Sequence, residues 1–257
     1  MTQRAYAKVN IFLKILGTRG SYHELTSRFV RLESLFDTIT FVKKEQTNND
    51  FELEGDFSCT LEQNSIYKAY LLLLQYQYNI QLEKFFHEHK VIVDKNIPEF
   101  AGLGGGSSNA ATFLRLVNEI LNLEHSKETL AMIGEKIGAD VPFFIYNYPS
   151  ANVSGIGEIV EPFEEELVKI ETFTPDILCD TGKVYHKFRT QYLDKLDIKN
   201  AQALKYKNSK DILEAYDSYF LNDLFAPALE IYPELSRYHD SNFFSGSGST
   251  FFKASHG

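Results

Sequence analysis

Three consecutive glycines, Gly104-Gly105-Gly106, lie in the run Gly102-Leu-Gly-Gly-Gly-Ser-Ser-Asn-Ala-Ala111. A short strand-like segment, Lys90–Asp94, precedes the run, and a segment with helical periodicity follows it. Glycine allows positive φ and close approach of the backbone to a ligand. Free N–H groups at a helix start, reinforced by the helix dipole, attract an anion. Ser107 and Ser108 add hydroxyl donors. The run has no Gly-Lys-[Ser/Thr] ending, so it is not a Walker A loop. It also lacks the Gly-x-Gly-x-x-Gly spacing and downstream acid of a Rossmann site. Taken alone it reads as a phosphate cradle or as a flexible glycine turn.

Other residues of chemical interest are less specific. Lys8 and Asn10 project from one face of an alternating segment, either into a site or onto a solvated strand face. Tyr22-His23 follows a glycine turn, and a lone His is most often a surface or satisfied core residue. Asp140 comes directly after a helix-like stretch, and a helix C-terminus disfavours an anion unless a cation such as Lys8 offsets it. A solvated turn is the alternative for Asp140. Ser245-Gly-Ser-Gly-Ser249 reads as a tight loop, either a second anion nest or a plain strand connection. The run Glu164-Glu-Glu166 is expected to be a solvated face.

These groups need elements to hold them. Residues 5–16 alternate, with Val9, Ile11, Leu13 and Ile15 on one face and Lys8, Asn10, Phe12 and Lys14 on the other. That pattern predicts a half-buried strand ended by Gly17-Thr-Arg-Gly20. Further β-type runs cover 26–35 and 37–43. A helix is predicted over 65–79 with Asn64 as its N-cap. Ala110, Phe113, Leu114, Val117, Ile120 and Leu121 repeat at helical spacing. Ser126 is placed to cap a helix running to about Ile137, with Gly138 as its stop. Helical stretches are expected near 210–222 and 226–238. Strands and helices interleave without regular βαβ repetition, which predicts the α+β class, with a boundary near residue 150.

Composition narrows the functional classes. The 257 residues carry 26 Lys+Arg against 35 Asp+Glu, a net charge of −9. That balance argues against nucleic-acid binding, which needs a basic face. Hydrophobic residues make up 44%, enough for a packed core. Two cysteines, Cys59 and Cys179, cannot build a disulfide framework and read as free thiols in a reducing compartment. The run Leu71–Leu74 is far too short to span a membrane, and Lys8 and Asn10 interrupt the N-terminal apolar stretch, against a signal peptide.

The motif at 102–111 resembles the phosphate-binding motif of the GHMP kinases, the superfamily of galactokinase and of homoserine, mevalonate and phosphomevalonate kinases. Further segments resemble those of the branch that acts on a cytidine-diphosphate-linked methylerythritol in the non-mevalonate route to isoprenoids. They are Ala7-Lys-Val-Asn-Ile-Phe-Leu13, Gly20-Ser-Tyr-His-Glu-Leu25, Asn64-Ser-Ile-Tyr-Lys-Ala69 and Asp94-Lys-Asn-Ile-Pro98. Ile137-Gly-Ala-Asp-Val-Pro-Phe-Phe144, Gly155-Ile-Gly-Glu158, Asn222-Asp-Leu224 and Ser245-Gly-Ser-Gly248 continue the match, which runs in order from residue 5 to about 252.

The resemblance implies a two-domain α+β kinase. Its N-terminal half, 1–150, would be like domain 2 of ribosomal protein S5; its C-terminal half, 151–257, would be a ferredoxin-like α/β sandwich, with the active site in the cleft between them. It implies ATP as co-substrate with Mg²⁺, bound by Asn64, Lys95, Pro98, Gly102, Leu103, Gly104, Gly105, Gly106, Ser107 and Ser108. It implies Asp140 as general base taking the proton of the substrate's 2-hydroxyl, with Lys8 beside it. Tyr22 would stack on the cytosine and His23 would hydrogen-bond it. Tyr185, in Gly182-Lys-Val-Tyr-His186, would cover the other face, and Asn10 would reach the polyol. The implied setting is a bacterial cytoplasm, as a monomer or weak homodimer without membrane or nucleic-acid partners. Another small-molecule kinase of the superfamily, or a non-catalytic nucleotide-binding regulator on the same scaffold, are the alternatives.

Overall fold

A computed structural model describes residues 1–76, 80–240 and 242–255. The strand predicted over 5–16 is the middle of β1 (Thr2–Arg19), which turns at Gly20, φ +62°, into β2 (Tyr22–Lys43). The two runs predicted at 26–35 and 37–43 are thus one strand. There follow β3 (Leu53–Glu54), α1 (Ser65–Tyr76), α2 (Ile80–Glu88), β4 (His89–Asp94) and α3 (Gly105–Ile120). The last three residues of the predicted 65–79 helix lie outside the described residues. Next come α4 (Lys127–Glu135), α5 (Val141–Tyr146), β5 (Ser150–Gly155), β6 (Ile159–Pro162) and β7 (Ile170–Phe173). The chain closes with α6 (Thr181–Gln191), α7 (Ile198–Leu204), α8 (Ser209–Ala215), α9 (Ser218–Leu221), α10 (Phe225–Ile231), β8 (Phe243–Phe244) and β9 (Phe251–Ala254). The predicted 226–238 stretch is helical only to Ile231, because Pro233 diverts it into a 3₁₀ turn.

The chain packs as two compact units. One comprises Met1–Ala7, Glu33–Ile97 and Gly104–Asn147; the other comprises Lys8–Leu32, Pro98–Leu103 and the chain from Tyr148 onward. The passage at Tyr148 lies close to the boundary predicted near 150, but the units are not contiguous halves. β1 and β2 are long enough that each contributes residues to both.

In the first unit, residues 38–43 of β2 run antiparallel to β4, from Thr38 opposite Asp94 to Lys43 opposite His89. β3 adds parallel to β4. Phe41, Phe86 and Phe113 meet at ring separations of 5.6–5.8 Å, and Phe51 stacks on Tyr70 at 4.4 Å. α3 buries Ala110, Phe113, Leu114 and Val117 as its periodicity predicts. Ser126 does cap α4, accepting from the Thr129 N–H at 3.2 Å.

In the second unit, residues 25–30 of β2 pair antiparallel with β5, and β5 with β6. A second sheet has the order β7–β9–β8, antiparallel throughout. Its core joins Leu13, Ile15, Leu25, Phe188, Leu224, Phe225, Phe244 and Phe251. Cys179 is buried there while Cys59 is exposed, and both are free thiols.

Two expectations are corrected. β1 is not half-buried: Lys8, Asn10 and Lys14 are 3%, 2% and 7% exposed. Burial is tolerated because each has partners; Lys14 Nζ, for example, donates to Phe220 O at 2.8 Å and pairs with Asp223. Nor is Glu165 solvated. Its carboxylate sits 3.3 Å from the fully buried Arg28 and accepts from Ser150 Oγ, Ser209 Oγ and the Ser209 N–H. Its neighbours Glu164 and Glu166 are the exposed ones.

Candidate active site

The glycine run divides its work. Gly104 enters α3 with φ +73°, and no side chain caps the helix there. The first-turn amides therefore have no intrahelical acceptor. Gly105 and Gly106 are already helical, and Gly106 is exposed. A Cβ on Gly105 would stand 3.0 Å from Ile97 Cγ2 and 3.7 Å from Lys95 Nζ. Ser107 is partly exposed, whereas Leu103 and Ser108 are each 1% exposed, Leu103 as a core side chain. Gly102, φ +74°, is tight against protein: a Cβ there would meet Ser245 O at 2.2 Å.

Around this helix start the first unit builds a polar frame. Asn64, buried, caps α1 as predicted, its Oδ1 accepting from the Ile66 N–H at 2.9 Å. Ser65 Oγ donates to Gly106 O at 2.7 Å and so ties the start of α1 to that of α3. Lys95 Nζ donates to Asp37 Oδ2 at 2.5 Å and to Asn109 Oδ1 at 3.1 Å. Asp37 is fully buried and also accepts from the Asn96 and Ile97 N–H groups and from Asn109 Nδ2, at 2.7–2.8 Å.

Asp140 is partly exposed in the turn between α4 and α5. The predicted electrostatic conflict disappears, since α4 ends at Glu135 and Asp140 instead heads α5 as its N-cap. An anion is favoured at that end of a helix. Pro142, in the first turn of α5, is the sequence signal that could have revealed this. The same turn lies beside the start of α3: a Cβ on Gly138 would be 3.6 Å from Ser107 Oγ.

The second unit holds the other predicted residues. Lys8 Nζ donates to Asn10 Oδ1 at 2.6 Å and to Gly102 O at 3.1 Å, and lies 4.5 Å from the Phe29 ring centroid. Asn10 Nδ2 donates to Ser27 Oγ at 2.9 Å, so its amide orients Lys8 within a bonded chain. The loop between β8 and β9 closes on the same place. Ser245 Oγ donates to Gly102 O and accepts from the Asn10 N–H, while Asn222 Nδ2 holds the carbonyls of Phe244 and Gly246. The segment 245–249 is therefore a hairpin connection packed on Gly102.

Tyr22 is 61% exposed, and Pro98 is exposed. His23 is buried, its ring 5.1 Å from that of Tyr185 on α6 and 6.0 Å from that of Phe188. Its Nε2 has no hydrogen-bond partner among the described residues. Burial, and then the Arg189 guanidinium, hold the His23 pKa below its usual value, which favours the neutral ring. Sequence reasoning missed Asp37, Ser27 and Arg189, whose partners lie elsewhere in the chain.

Comparison with known proteins bears on the family and the fold. Residues 64–148 match the family described as GHMP kinases N terminal domain. The chain is 54% identical to the 4-diphosphocytidyl-2-C-methyl-D-erythritol kinase of Sulfurimonas denitrificans, over 97% of this chain and 95% of that one. It is 51% identical to the protein of that name from a Sulfurovum species, over 97% of each. A crystal structure of 4-(cytidine 5'-diphospho)-2C-methyl-D-erythritol kinase superposes with a TM-score of 0.78 at 27% identity, covering 100% of this chain and 91% of that one. The mevalonate kinase of Methanococcus jannaschii, at 15% identity and TM-score 0.67, covers 100% and 90% and shares the fold.

Proposed function

The chain belongs to the 4-diphosphocytidyl-2-C-methyl-D-erythritol kinase family, a branch of the GHMP kinases, and from that premise we propose how its residues carry the reaction. The protein is a two-domain α+β kinase that uses ATP to phosphorylate the 2-hydroxyl of 4-diphosphocytidyl-2-C-methyl-D-erythritol, in the non-mevalonate synthesis of isoprenoids.

One observation carries the assignment of roles: the uncapped start of α3 and the Asp140 turn are neighbours in one unit. The amides of Gly104–Ser107 would receive the nucleotide's phosphates, with the dipole of a 16-residue helix behind them. Asn64, Lys95 and Pro98 would line the rest of the ATP site, and Gly102, Leu103 and Ser108 would hold the loop in shape. Asp140 would accept the proton of the 2-hydroxyl as the oxygen attacks the γ-phosphorus in line. Lys8, fixed by Asn10 and Gly102 O, would supply positive charge to the reacting groups.

The unpaired Nε2 of neutral His23 would bond the cytosine edge, with Tyr22 and Tyr185 providing aromatic faces. Asn10, its amide held by Lys8 and Ser27, would act on the polyol side by positioning Lys8. Among the described residues, no three His, Cys, Asp or Glu side chains cluster to hold a metal. Mg²⁺ would arrive on the nucleotide's phosphates, where it neutralises developing charge. A family-domain boundary near residue 150, crossed by the interleaved compact units, belongs to the same reading, as do a bacterial cytoplasmic setting, a monomer or weak homodimer and the absence of nucleic-acid partners. No helix among the described residues is long and apolar enough to cross a membrane.

The deciding experiment is Asp140→Asn in a phosphoryl-transfer assay with the CDP-linked alcohol. Turnover should fall by roughly 10²–10⁴-fold while ATP binding, read by calorimetry, persists. Unchanged turnover removes Asp140 as the base.

A further inference from the structure

We infer that Arg189, on α6, is a second reader of the pyrimidine: its guanidinium clamps the Gly20–Tyr22 turn and presents an unpaired Nε–H, alongside His23 Nε2, to a cytosine edge. The inference rests on the cytidine-linked substrate proposed above.

Arg189 Nη2 donates to Tyr22 O at 3.1 Å and to Gly20 O at 3.3 Å, so one guanidinium pins the turn that carries Tyr22 and His23. Four residues earlier on the same helix, Tyr185 places its ring 5.1 Å from His23. Positions i and i+4 share a helix face, so the aromatic wall and the guanidinium address the same place. Arg189 Nε is buried and has no hydrogen-bond partner among the described residues, and the same is true of His23 Nε2. Two buried polar atoms left without partners are unfavourable unless a ligand completes them. Arg189 is also near enough for its charge to act on the His23 ring.

The chemistry of the pair selects a base. A guanidinium only donates, so Nε–H demands an acceptor. A neutral imidazole keeps one nitrogen able to accept. Cytosine presents the acceptor N3 next to the donor amine on C4. Uracil presents N3–H and O4 there, which would set donor against donor at Arg189. A site built around fixed donors and acceptors rejects the mismatched analogue strongly.

The test is calorimetric titration of the whole protein with CDP and with UDP, for the wild type and for Arg189→Lys. The lysine keeps the charge but has no Nε–H. The wild type should bind CDP in preference to UDP. Arg189→Lys should lose about tenfold in CDP affinity, narrow the CDP/UDP ratio and raise KM for the CDP-linked alcohol, with kcat and the KM for ATP unchanged. Should the variant fold poorly, the wild-type Arg189 Nε–H resonance decides alone, since it should shift when CDP is added. Arg189→Lys with unaltered CDP affinity and ratio, or a resonance indifferent to CDP, overturns the inference and leaves the kinase reading standing. A wild type that ignores CDP and phosphorylates a different alcohol overturns both.

Discussion

Asp37 holds the Lys95 ammonium at 2.5 Å, and Asn109 bonds both of them, its Oδ1 to Lys95 and its Nδ2 to Asp37. An amide is the side chain that can serve a cation and a carboxylate at once. Asn109→Asp would replace a donor with a second carboxylate facing the fully buried Asp37. The variant should lose roughly 1–3 kcal/mol of stability and bind ATP more weakly, because the start of α3 is fixed by this frame. Denaturant midpoints together with ATP titration check both parts.

Lys95→Ala should reduce ATP affinity without abolishing turnover. It also strands the Asp37 carboxylate, and losing one partner of a buried pair typically costs about 3–5 kcal/mol. If ATP affinity is unaltered, Lys95 does not belong to the nucleotide site.

Acid should weaken the fold through His23. Its folded pKa is held down by burial and by Arg189, so above about 6.5, its ordinary value, it stays neutral in both folded and unfolded chains and carries no penalty. Below that the unfolded chain takes up the proton more readily, so stability declines with falling pH and levels off under the folded pKa. His23→Gln should flatten this part of the stability profile between pH 7.5 and 5.5. An equally steep profile in that variant would assign the acid loss to other groups.

Gly102→Ala is expected to be costly for a structural reason, with its Cβ forced to 2.2 Å from Ser245 O at φ +74°. A loss of roughly 2 kcal/mol or more follows from the left-handed backbone and the clash together. Gly17→Ala, with nothing within 4 Å of its Cβ, should stay within about 0.5 kcal/mol and serves as control.

The buried Arg28–Glu165 pair offers a sharper contrast. Arg28 also bonds Asn152 Oδ1 at 2.8 Å and the carbonyls of Lys205 and Lys207, and its guanidinium lies 3.4 Å from the Phe163 ring centroid. Glu165→Gln should cost about 3–5 kcal/mol by leaving that cation uncompensated. Adding Arg28→Met should cost less than the two single changes summed, as a double-mutant cycle of unfolding free energies would reveal.

The features legible in the sequence were local ones. The glycine entry to α3, the Asn64 and Ser126 caps and the α3 core face each depend on residues within a few positions of one another. What escaped depends on distant partners. Lys8 and Asn10 looked able to face solvent because nothing nearby announces that Gly102 and Ser245 will cover them. Glu165 sat between two exposed glutamates, while its partner Arg28 lies 137 residues away. Asp37 looked like an ordinary strand residue, although its acceptor capacity is taken up by residues 95–97 and 109.

The interleaving of the two units sets an order on assembly as the chain leaves the ribosome. Residues Lys8–Leu32 emerge almost first, yet the Asn10 amide must wait for Ser245, 235 positions later, to find its bond. Helices α1 to α5 are complete well before then, so the first unit's later segments are poised to condense early while the opening hairpin remains half-dressed. Contacts of such sequence separation slow folding and prolong exposure of sticky intermediates. Cutting the gene at codon 150 would consequently yield two pieces that each lack strands the other carries, and co-expression of both, rather than either alone, is the arrangement expected to stay in solution.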